Sequence, residues 1–332
     1  MKKLINILLL FMSFNLFAAP LSAPDRQRGE GPFERLVLRG VMVVNGEGAP
    51  PVGPMDVLIK GNRITEMRSL GIVKPVPEEN RISTLPGDRV MELEDHYLLP
   101  GFVDLHAHFG GDAQGVPAEY VAKLWLAHGI TTIREPGSFN GLDWVLAHQA
   151  RSEKNEIAAP RIFPFVGFGQ GENGPFLTEE TARSWVKKIA RQGASGIKFF
   201  GAPANIMQAA LDEAGKQDLG SAMHHAQLDV VNWNVLDSAR AGLTTMEHWY
   251  GLPEAMFEDK VIQDYPVDYN YANEQHRFGE AGRLWNQAAQ PGSERWNQVR
   301  DELISLAFTI YQTLTRSEAR RDLRPDMNAD WQ

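Results

Sequence analysis

Five of the nine histidines in this 332-residue chain fall in three short apolar segments, a pattern that suits metal binding. His106 and His108 lie two residues apart in Leu98–Gly110 (LLPGFVDLHAHFG), whose apolar residues predict a buried strand. Because successive side chains of a strand point to opposite faces, we expect Asp104, His106 and His108 to share one face. Two imidazoles on one face can hold a single cation. The alternative is a pair of exposed histidines on an edge strand.

The other three histidines of this group and one lysine lie in later predicted strands. His224 and His225 close one strand, His248 closes the next, and Lys198 lies in the segment GIKFF. Burial of an ammonium group favours its neutral form, and a neutral amine can add carbon dioxide to become a carbamate with two ligand oxygens. The alternatives are that Lys198 extends to solvent and that His248 is a core histidine. His224 and His225 point to opposite faces, so only one of them can face a shared site.

The composition narrows the chemistry further. The chain has no cysteine, which excludes disulfides, thiolate metal sites and cysteine nucleophiles, so a metal must be held mainly by histidine or carboxylate. Acidic residues outnumber basic ones by 42 to 33 and no long basic run is present, so we expect no nucleic-acid partner. The length predicts one large domain with a smaller one beside it.

Residues 1–23 have the order of a signal peptide: Lys2 and Lys3 precede an apolar run from Leu4 to Phe17, and small residues follow. This run is shorter than the roughly 20 residues of a typical membrane span. We therefore expect a secreted or periplasmic protein that has no membrane contact after signal cleavage. A retained membrane anchor is the alternative.

Two regions with different patterns of predicted secondary structure follow the signal peptide. Residues 24–100 contain short β segments with a tight turn at Gly61-Asn62, and they predict a small β-sandwich-like domain. Residues 101–332 alternate between strands and helices, which favours an α/β fold of the (β/α) TIM-barrel type. In such a barrel the chemistry gathers at the C-terminal ends of the strands. Helices are predicted over 117–127, 142–153, 178–192, 204–216, 230–240 and 296–304, and strands over 130–134, 161–166, 196–200, 221–225, 243–248 and 307–314.

Through these motifs the chain resembles the amidohydrolase superfamily of metal-dependent hydrolases, especially its imidazolonepropionase-like and Xaa-Pro-dipeptidase-like members. The resemblance covers residues 34 to 315. It rests on LVLRGVMVVNGEG and DVLIKGNRITEM in the β domain, on LLPGFVDLHAHFG, and on the order His-x-His, Lys, His, His along successive strands. It implies that the small β domain is half of a composite sandwich.

The resemblance also implies a centre of two divalent metal ions, with zinc as the expected metal. The ligands that it implies are His106, His108, Lys198, His224 and His248. The first two would bind the more buried ion, the lysine would bridge both ions as a carbamate, and the last two would bind the second ion. His224 is preferred to His225 because the family's ligand directly follows the apolar core of its strand.

The implied reaction is metal-assisted hydrolysis, in which a metal-bound hydroxide attacks the amide-type C–N bond of a small-molecule amide or dipeptide. An aromatic-rich insertion over 252–292 carries His276 and Arg277, which are candidates for pairing with a substrate carboxylate; the alternative is an ordinary helical insertion. Ester or phosphotriester hydrolysis on the same scaffold is a further alternative. Deaminase chemistry is less favoured, because a carbamate lysine suggests two metals. A homo-oligomer is left open.

The chain departs from the family pattern at its C-terminus. The family pattern includes an Asp at the end of an eighth strand, which accepts a proton from the attacking water, and a C-terminal segment that completes the β domain. This sequence stops at Gln332, shortly after the seventh predicted strand, so we expect a truncated barrel and assign no catalytic residue. Asp322, Asp326 and Asp330 lie in a polar tail and are not assigned this role. A non-catalytic metal-binding fragment of such an enzyme is therefore an alternative.

Overall fold

Two separate β-sheets divide the chain, and the boundary between them falls between Leu98 and Phe102. The computed structural model describes residues 32–71, 74, 76–226, 233–260 and 263–313. The expected signal peptide and the tail residues Asp322, Asp326 and Asp330 lie outside this part of the chain. Across the described residues, no helix combines the length and the apolar composition that crossing a membrane requires.

The first sheet contains β1 (Arg35–Val43), β2 (Val52–Lys60), β3 (Arg63–Ser69), β4 (Arg89–Glu92) and β5 (Tyr97–Leu98). Its spatial order is β3-β2-β1-β4, and β5 also pairs with β1. The antiparallel β2–β3 hairpin turns at Gly61, whose φ of 57° lies in the left-handed region that glycine adopts at little cost. The Gly61-Asn62 motif therefore predicted this turn correctly. The buried Asp56 carboxylate on β2 accepts hydrogen bonds from Arg81 Nε at 2.9 Å and Nη2 at 2.6 Å, which ties β2 to the loop before β4.

The second sheet has seven strands in chain order, and every neighbouring pair is parallel. They are β6 (Phe102–Asp104), β7 (Ile130–Pro136), β8 (Arg161–Gly167), β9 (Gly196–Phe199), β10 (Gly220–Met223), β11 (Thr245–Glu247) and β12 (Thr309–Tyr311). Helices alternate with the strands, and the sheet curls into a half-barrel. This arrangement confirms the predicted α/β fold of the TIM-barrel type.

Most helices begin and end within two residues of the predicted positions, because local capping signals define their ends; the helix predicted over 230–240 is shorter and begins after its N-cap Asn234. At α3, Thr178 Oγ1 accepts a hydrogen bond from the backbone N–H of Thr181, and Gly193 ends the helix with a φ of 100°. The helices are α1 (Ala118–Ala127), α2 (Leu142–Glu153), α3 (Glu179–Gln192), α4 (Ala204–Lys216), α5 (Val235–Arg240), α6 (Leu252–Ala255), α7 (Glu274–Arg283) and α8 (Glu294–Ser305). The predicted insertion over 252–292 contains α6 and α7.

An apolar core fixes the strands of the half-barrel against α3 and α4. Ile197 and Phe199 of β9 are fully buried there, together with Trp185 and Ile189 of α3 and Met207 of α4. Each such side chain contributes roughly 1.5–3 kcal/mol by leaving water. The same packing holds the C-terminal strand ends in place, and these ends carry the predicted metal ligands.

The predicted strand around the His-x-His motif is wrong beyond its first residues. β6 ends at Asp104, and His106 and His108 follow the strand instead of alternating within it. The reason is local, because Asp104 Oδ1 accepts the backbone N–H of His106 at 2.8 Å and thereby turns the chain out of the ladder. The expected burial is also wrong, since Phe102 and Val103 are 58% and 56% exposed on this edge strand.

Candidate metal centre

Four of the predicted ligands form a continuous row of rings at the C-terminal ends of the second sheet. The ring centroids of His108 and His106 lie 5.4 Å apart, those of His106 and His248 lie 5.1 Å apart, and those of His248 and His224 lie 4.9 Å apart. These residues follow β6, β10 and β11, so the fold brings together side chains from three strand ends.

The spacing within this row suits metal coordination. Two imidazoles that bind one zinc ion tetrahedrally, at about 2.1 Å from each nitrogen, have ring centroids roughly 5 Å apart. Within the described ranges, however, no set of three or more His, Asp or Glu side chains is already gathered around one point with metal-ligand geometry. The pairwise ring spacing and the chemistry of the surrounding groups, rather than a complete coordination sphere, therefore support a metal at this position.

Lys198 lies inside the half-barrel, close to the row of histidines. The residue is only 1% exposed, so the alternative in which its side chain extends to solvent is wrong. Its charge contributes to lowering the pKa of His106, His224 and Glu247, which means that its amine is within electrostatic reach of all three groups. The Lys198 Nζ lies 5.6 Å from the centroid of the Phe200 ring.

His224 and His225 have different surroundings, as their adjacent positions in the chain predict. The His224 ring is part of the row, whereas the His225 ring is fully buried with its Nε2 2.8 Å from Ser238 Oγ on α5. Burial lowers the pKa of His225 to about 3, so this ring is neutral near pH 7. The geometry thus places His224, and not His225, beside the other histidines of the row, and His225 packs the strand against α5.

Two carboxylates that the sequence interpretation missed orient the first two rings. Glu135, at the end of β7, lies with Oε1 2.9 Å from Nδ1 of His108, and Glu247 contacts Nδ1 of His106. Arg134 donates to Glu247 Oε1 at 2.5 Å and holds this carboxylate in place. Metal-binding histidines usually direct their second ring nitrogen to a carboxylate in this way. Glu135 and Glu247 both lie at strand ends, and this position was the signal that would have identified them.

The electrostatics favour the neutral form of two rings of the row, His106 and His224. Burial lowers the pKa of His106 to about 4, although the hydrogen bond to Glu247 opposes this change. Burial also lowers the pKa of His224 well below its usual value. For Glu247, burial raises the pKa, but the hydrogen bond from His106 and the charges of Lys198 and Arg134 outweigh burial and bring it to about 2. At neutral pH the two rings are therefore neutral and Glu247 is an anion, as metal binding through imidazole requires.

The predicted substrate-binding residues lie on α7, which packs over one end of the row. Tyr250 connects α7 to the row, because its ring lies 5.0 Å from the His224 ring and 5.6 Å from the Phe278 ring on α7. The Arg277 guanidinium lies over the Tyr271 ring at 4.9 Å, and its charge contributes to the lowered pKa of His224. The structure thus brings Arg277 into electrostatic reach of the row.

His276, the second predicted substrate-binding residue, has different neighbours. Its ring lies 5.7 Å from the ring of Tyr269, and its backbone N–H is bound by the N-cap residue Asn273. No ring contact joins His276 to the four histidines of the row in the described residues. Its predicted role in substrate binding stays a prediction.

No protein-family model matches the chain. Two named relatives match parts of it. The chain is 32% identical over 145 residues to an adenine deaminase of Methanoculleus marisnigri, across 41% of this chain and 26% of that protein. It is 26% identical over 201 residues to a dihydroorotase of a Sulfurihydrogenibium species, across 57% of this chain and 44% of that protein. The chain thus spans less than half the length of these two relatives.

The fold is also found among solved structures. A Xaa-Pro dipeptidase with methionine bound in its active site has a TM-score of 0.54 and 17% identity, with 84% of this chain and 79% of that chain covered. This likeness shows that the second sheet and its helices have a (β/α)-barrel type of fold, with histidines at the strand ends. The sequence similarity to the adenine deaminase and the dihydroorotase and the shared fold all agree with the resemblance to the amidohydrolase superfamily.

Proposed function

We propose that the chain forms the metal-binding barrel of an amidohydrolase-type enzyme that hydrolyses C–N bonds in small molecules. The observation that carries this proposal is the row of four histidine rings, spaced 4.9 to 5.4 Å apart beside the buried Lys198. Imidazole ligands with an anionic oxygen ligand form a donor set that suits zinc better than magnesium or calcium.

In this proposal His106 and His108 hold one divalent ion, and His224 and His248 hold a second. A carbamate on Lys198 joins the two positions; the burial of the lysine supports this modification, because burial disfavours an ammonium ion. When bound, such ions lower the pKa of a water molecule towards neutrality and polarise the carbonyl group of a substrate.

The chain's own residues prepare the ligands for this chemistry. Glu247 accepts the Nδ1–H of His106, and Glu135 accepts that of His108, so the Nε2 atom of each ring carries the free lone pair. Arg134 keeps Glu247 oriented and anionic. The burial of His106 and His224 excludes the protonated form that would compete with a metal.

A small-molecule amide or dipeptide is the substrate class that we propose. The relatives are named as an adenine deaminase, a dihydroorotase and a Xaa-Pro dipeptidase, and each of these names describes the cleavage of a C–N bond. Arg277 would pair with a carboxylate of the substrate, which its electrostatic reach to His224 supports. His276 is the second candidate for this contact.

A non-catalytic metal-binding protein is the second candidate function. It is the alternative that remains because the sequence predicts metal ligands but assigns no catalytic residue. Metal binding depends on residues that lie within the seven strand ends, whereas turnover in this class also requires a group that accepts the proton of water.

Metal content and turnover, measured on the same full-length preparation, separate the candidates. We expect zinc to co-purify with the chain, to be removed by a chelator, and to be lost in His106→Gln and His248→Gln. His128→Gln is the matched control, because His128 is exposed at the end of α1 and outside the row. Equal zinc in all of these variants contradicts the proposal.

Turnover is then tested on a panel of Xaa-Pro dipeptides, N-acyl amino acids, dihydroorotate and adenine. Chelator-sensitive hydrolysis of any member supports the enzyme. Bound zinc without turnover on the whole panel favours the non-catalytic candidate. Release of ammonia from adenine would correct the proposed reaction to deamination.

We also propose that the protein is exported, on the basis of the signal-peptide order of residues 1–23. Expression of the full chain in a bacterium with a periplasm should give a processed form whose N-terminus lies between Ala18 and Ala23. An unprocessed chain that stays in the cytoplasm would contradict this proposal.

A further inference from the structure

The two edges of the second sheet are joined by a side chain. β6 and β12 lie at opposite ends of the strand order, and no backbone ladder connects them in the described residues. Tyr311, the last residue of β12, nevertheless donates a hydrogen bond from its hydroxyl group to Asp104 Oδ1 of β6 at 2.7 Å. The gap in the half-barrel is therefore bridged next to the metal-binding row.

The bridge reaches His106 through Asp104. The same Oδ1 atom accepts the backbone N–H of His106 at 2.8 Å, in the turn that takes the chain out of β6. The Tyr311 ring also lies nearly parallel to the His106 ring, with centroids 6.2 Å apart and planes inclined by 14°. Tyr311 thus contacts both the turn that presents His106 and the imidazole itself.

The end of β12 and the residues after it contact a second histidine of the row, His248. The backbone N–H of His248 donates to the carbonyl oxygen of Tyr311 at 2.6 Å, and its Nδ1 lies 2.6 Å from Thr313 Oγ1. His248 has a φ of 63°, a left-handed conformation that residues other than glycine rarely adopt and that surrounding contacts must maintain. The Tyr311 carbonyl oxygen supplies one such contact.

The Thr313 hydroxyl group lies between Nδ1 of His248 and the carbonyl oxygen of Gln312, at 2.6 and 2.7 Å. A hydroxyl group has one proton to donate, and the Gln312 carbonyl oxygen can only accept it, whereas Nδ1 of His248 can donate or accept. When the Thr313 proton goes to Gln312, the Thr313 oxygen accepts from Nδ1 of His248, and Nε2 is left with its lone pair. Thr313 is thus the partner of Nδ1 in His248, as Glu135 and Glu247 are the partners of Nδ1 in His108 and His106.

We propose that the segment 311–313 positions the metal centre, Tyr311 by fixing the turn that presents His106 and Thr313 by fixing the tautomer of His248. Neither residue is a catalytic residue in this proposal, because each acts through a histidine. The inference rests on the proposed function, since the two histidines are taken to bind metal.

Two isosteric substitutions in the full chain test the roles separately. Thr313→Val removes the acceptor for His248, and we expect zinc affinity to fall by about 10–100-fold, the loss usually seen when the partner of a metal-binding histidine is removed. Thr313→Ser retains the hydroxyl group and should bind zinc as the unmodified chain does. Tyr311→Phe retains the ring against His106 but removes the bond to Asp104, and we expect a loss of about 10-fold in zinc affinity.

Thr309→Val is the matched control, because it makes the same chemical change on β12 at an exposed position. Zinc affinity is measured by competition with a chromophoric chelator, and thermal unfolding followed by circular dichroism shows that each variant is folded. A fall in affinity caused by general weakening of β12 would appear in Thr309→Val as well, and that result would contradict a specific role for Thr313.

The tautomer provides a measurement that needs no metal. In the metal-free chain labelled with nitrogen-15 at histidine, NMR shifts distinguish a protonated Nδ1 from a protonated Nε2, and the His248→Gln variant assigns the signal. We expect a protonated Nδ1 in the unmodified chain and in Thr313→Ser, and a change to a protonated Nε2 or a mixture in Thr313→Val. An unchanged tautomer together with unchanged zinc affinity in Thr313→Val and Tyr311→Phe overturns the inference.

Failure of the proposed function and failure of the positioning role of 311–313 give different results. If the unmodified chain binds no zinc, the proposed function fails, while the histidine NMR signals still show whether Thr313 sets the tautomer of His248. If zinc binds tightly but neither substitution changes affinity or tautomer, only the positioning role of 311–313 fails.

Discussion

Replacing Glu247 with glutamine tests how the second sheet prepares His106 for metal. The substitution retains the shape of the side chain and removes its charge. The two oxygens of Glu247 face Nδ1 of His106, Nη2 of Arg134 at 2.5 Å and Oγ1 of Thr245 at 3.3 Å. A glutamine amide has only one acceptor oxygen, so its NH₂ group must face either the Arg134 guanidinium or the protonated nitrogen of His106.

Both orientations of the amide are costly, and the two costs differ in kind. Arg134, which is 5% exposed, loses its anionic partner in either orientation; if the NH₂ group faces it, the guanidinium also loses its acceptor oxygen, and breaking such a buried pair costs about 3–5 kcal/mol. If the NH₂ group faces His106, the ring must accept at Nδ1 and carry its proton on Nε2, which blocks that nitrogen as a ligand. Zinc affinity then falls by about 10–100-fold, or roughly 1.4–2.7 kcal/mol.

Urea unfolding of the metal-free chain at pH 7 measures the first cost, and zinc competition measures the second. We expect Glu247→Gln to lower the free energy of unfolding, the zinc affinity, or both, by the amounts given. The double variant Glu247→Gln/Arg134→Met removes the buried cation together with its partner, so it should recover part of the stability while zinc affinity stays low. The reasoning is refuted if the free energy of unfolding of Glu247→Gln lies within about 0.5 kcal/mol of that of the unmodified chain and its zinc affinity is unchanged.

Three further predictions concern the lysine, the buried histidine and the insertion. Lys198→Ala should lower the zinc stoichiometry, and added propionate should restore part of it by replacing the carbamate; unchanged zinc content by mass spectrometry would contradict the bridging role. The pKa of His225 is about 3 in the folded chain against 6.5 for the free side chain, so below pH 6.5 the unfolded chain binds the additional proton. The free energy of unfolding should therefore fall as the pH decreases from about 6.5 towards 3, by up to about 1.4 kcal/mol per pH unit from this residue. His225→Gln should make the free energy of unfolding less dependent on pH, as measured by urea unfolding from pH 7 to pH 4. An equal pH dependence in both proteins would argue against the neutral ring. Arg277→Gln should raise KM about 10–100-fold for substrates with a free carboxylate but not for the corresponding amides. Arg283→Gln, at an exposed position of the same helix, should leave KM unchanged for both kinds of substrate. Equal effects of Arg277→Gln on acids and amides would exclude carboxylate pairing.

Much of the fold was predictable because its signals are local. Thr178 and Gly193 define the ends of α3 through hydrogen bonds to neighbouring residues, and the apolar pattern between them defines its buried face. The alternation of strands and helices then left parallel pairing as the natural arrangement, which the seven-stranded sheet confirms. The error around the His-x-His motif was also local, because Asp104 two residues before His106 is a turn signal that competes with the strand.

The site was predictable only in part. The types and strand-end positions of the four histidines were visible in the sequence, whereas the choice between His224 and His225 depended on which side chain faces the barrel and which faces Ser238. The insertion shows the same limit, since the sequence could not separate Arg277, which reaches the row, from His276, which contacts Tyr269.

The sequence by itself restricted the ligands that the protein could offer a metal to nitrogen and oxygen, because cysteine is absent and histidine recurs at strand ends. Only the tertiary structure decided how these histidines are oriented and paired. The contacts of His106 with Glu247, of Glu247 with Arg134 and of Tyr311 with Asp104 join residues 141, 113 and 207 positions apart. Such contacts depend on how far the sheet curls, and the curl is set by the packing of all its strands and helices together rather than by any one segment.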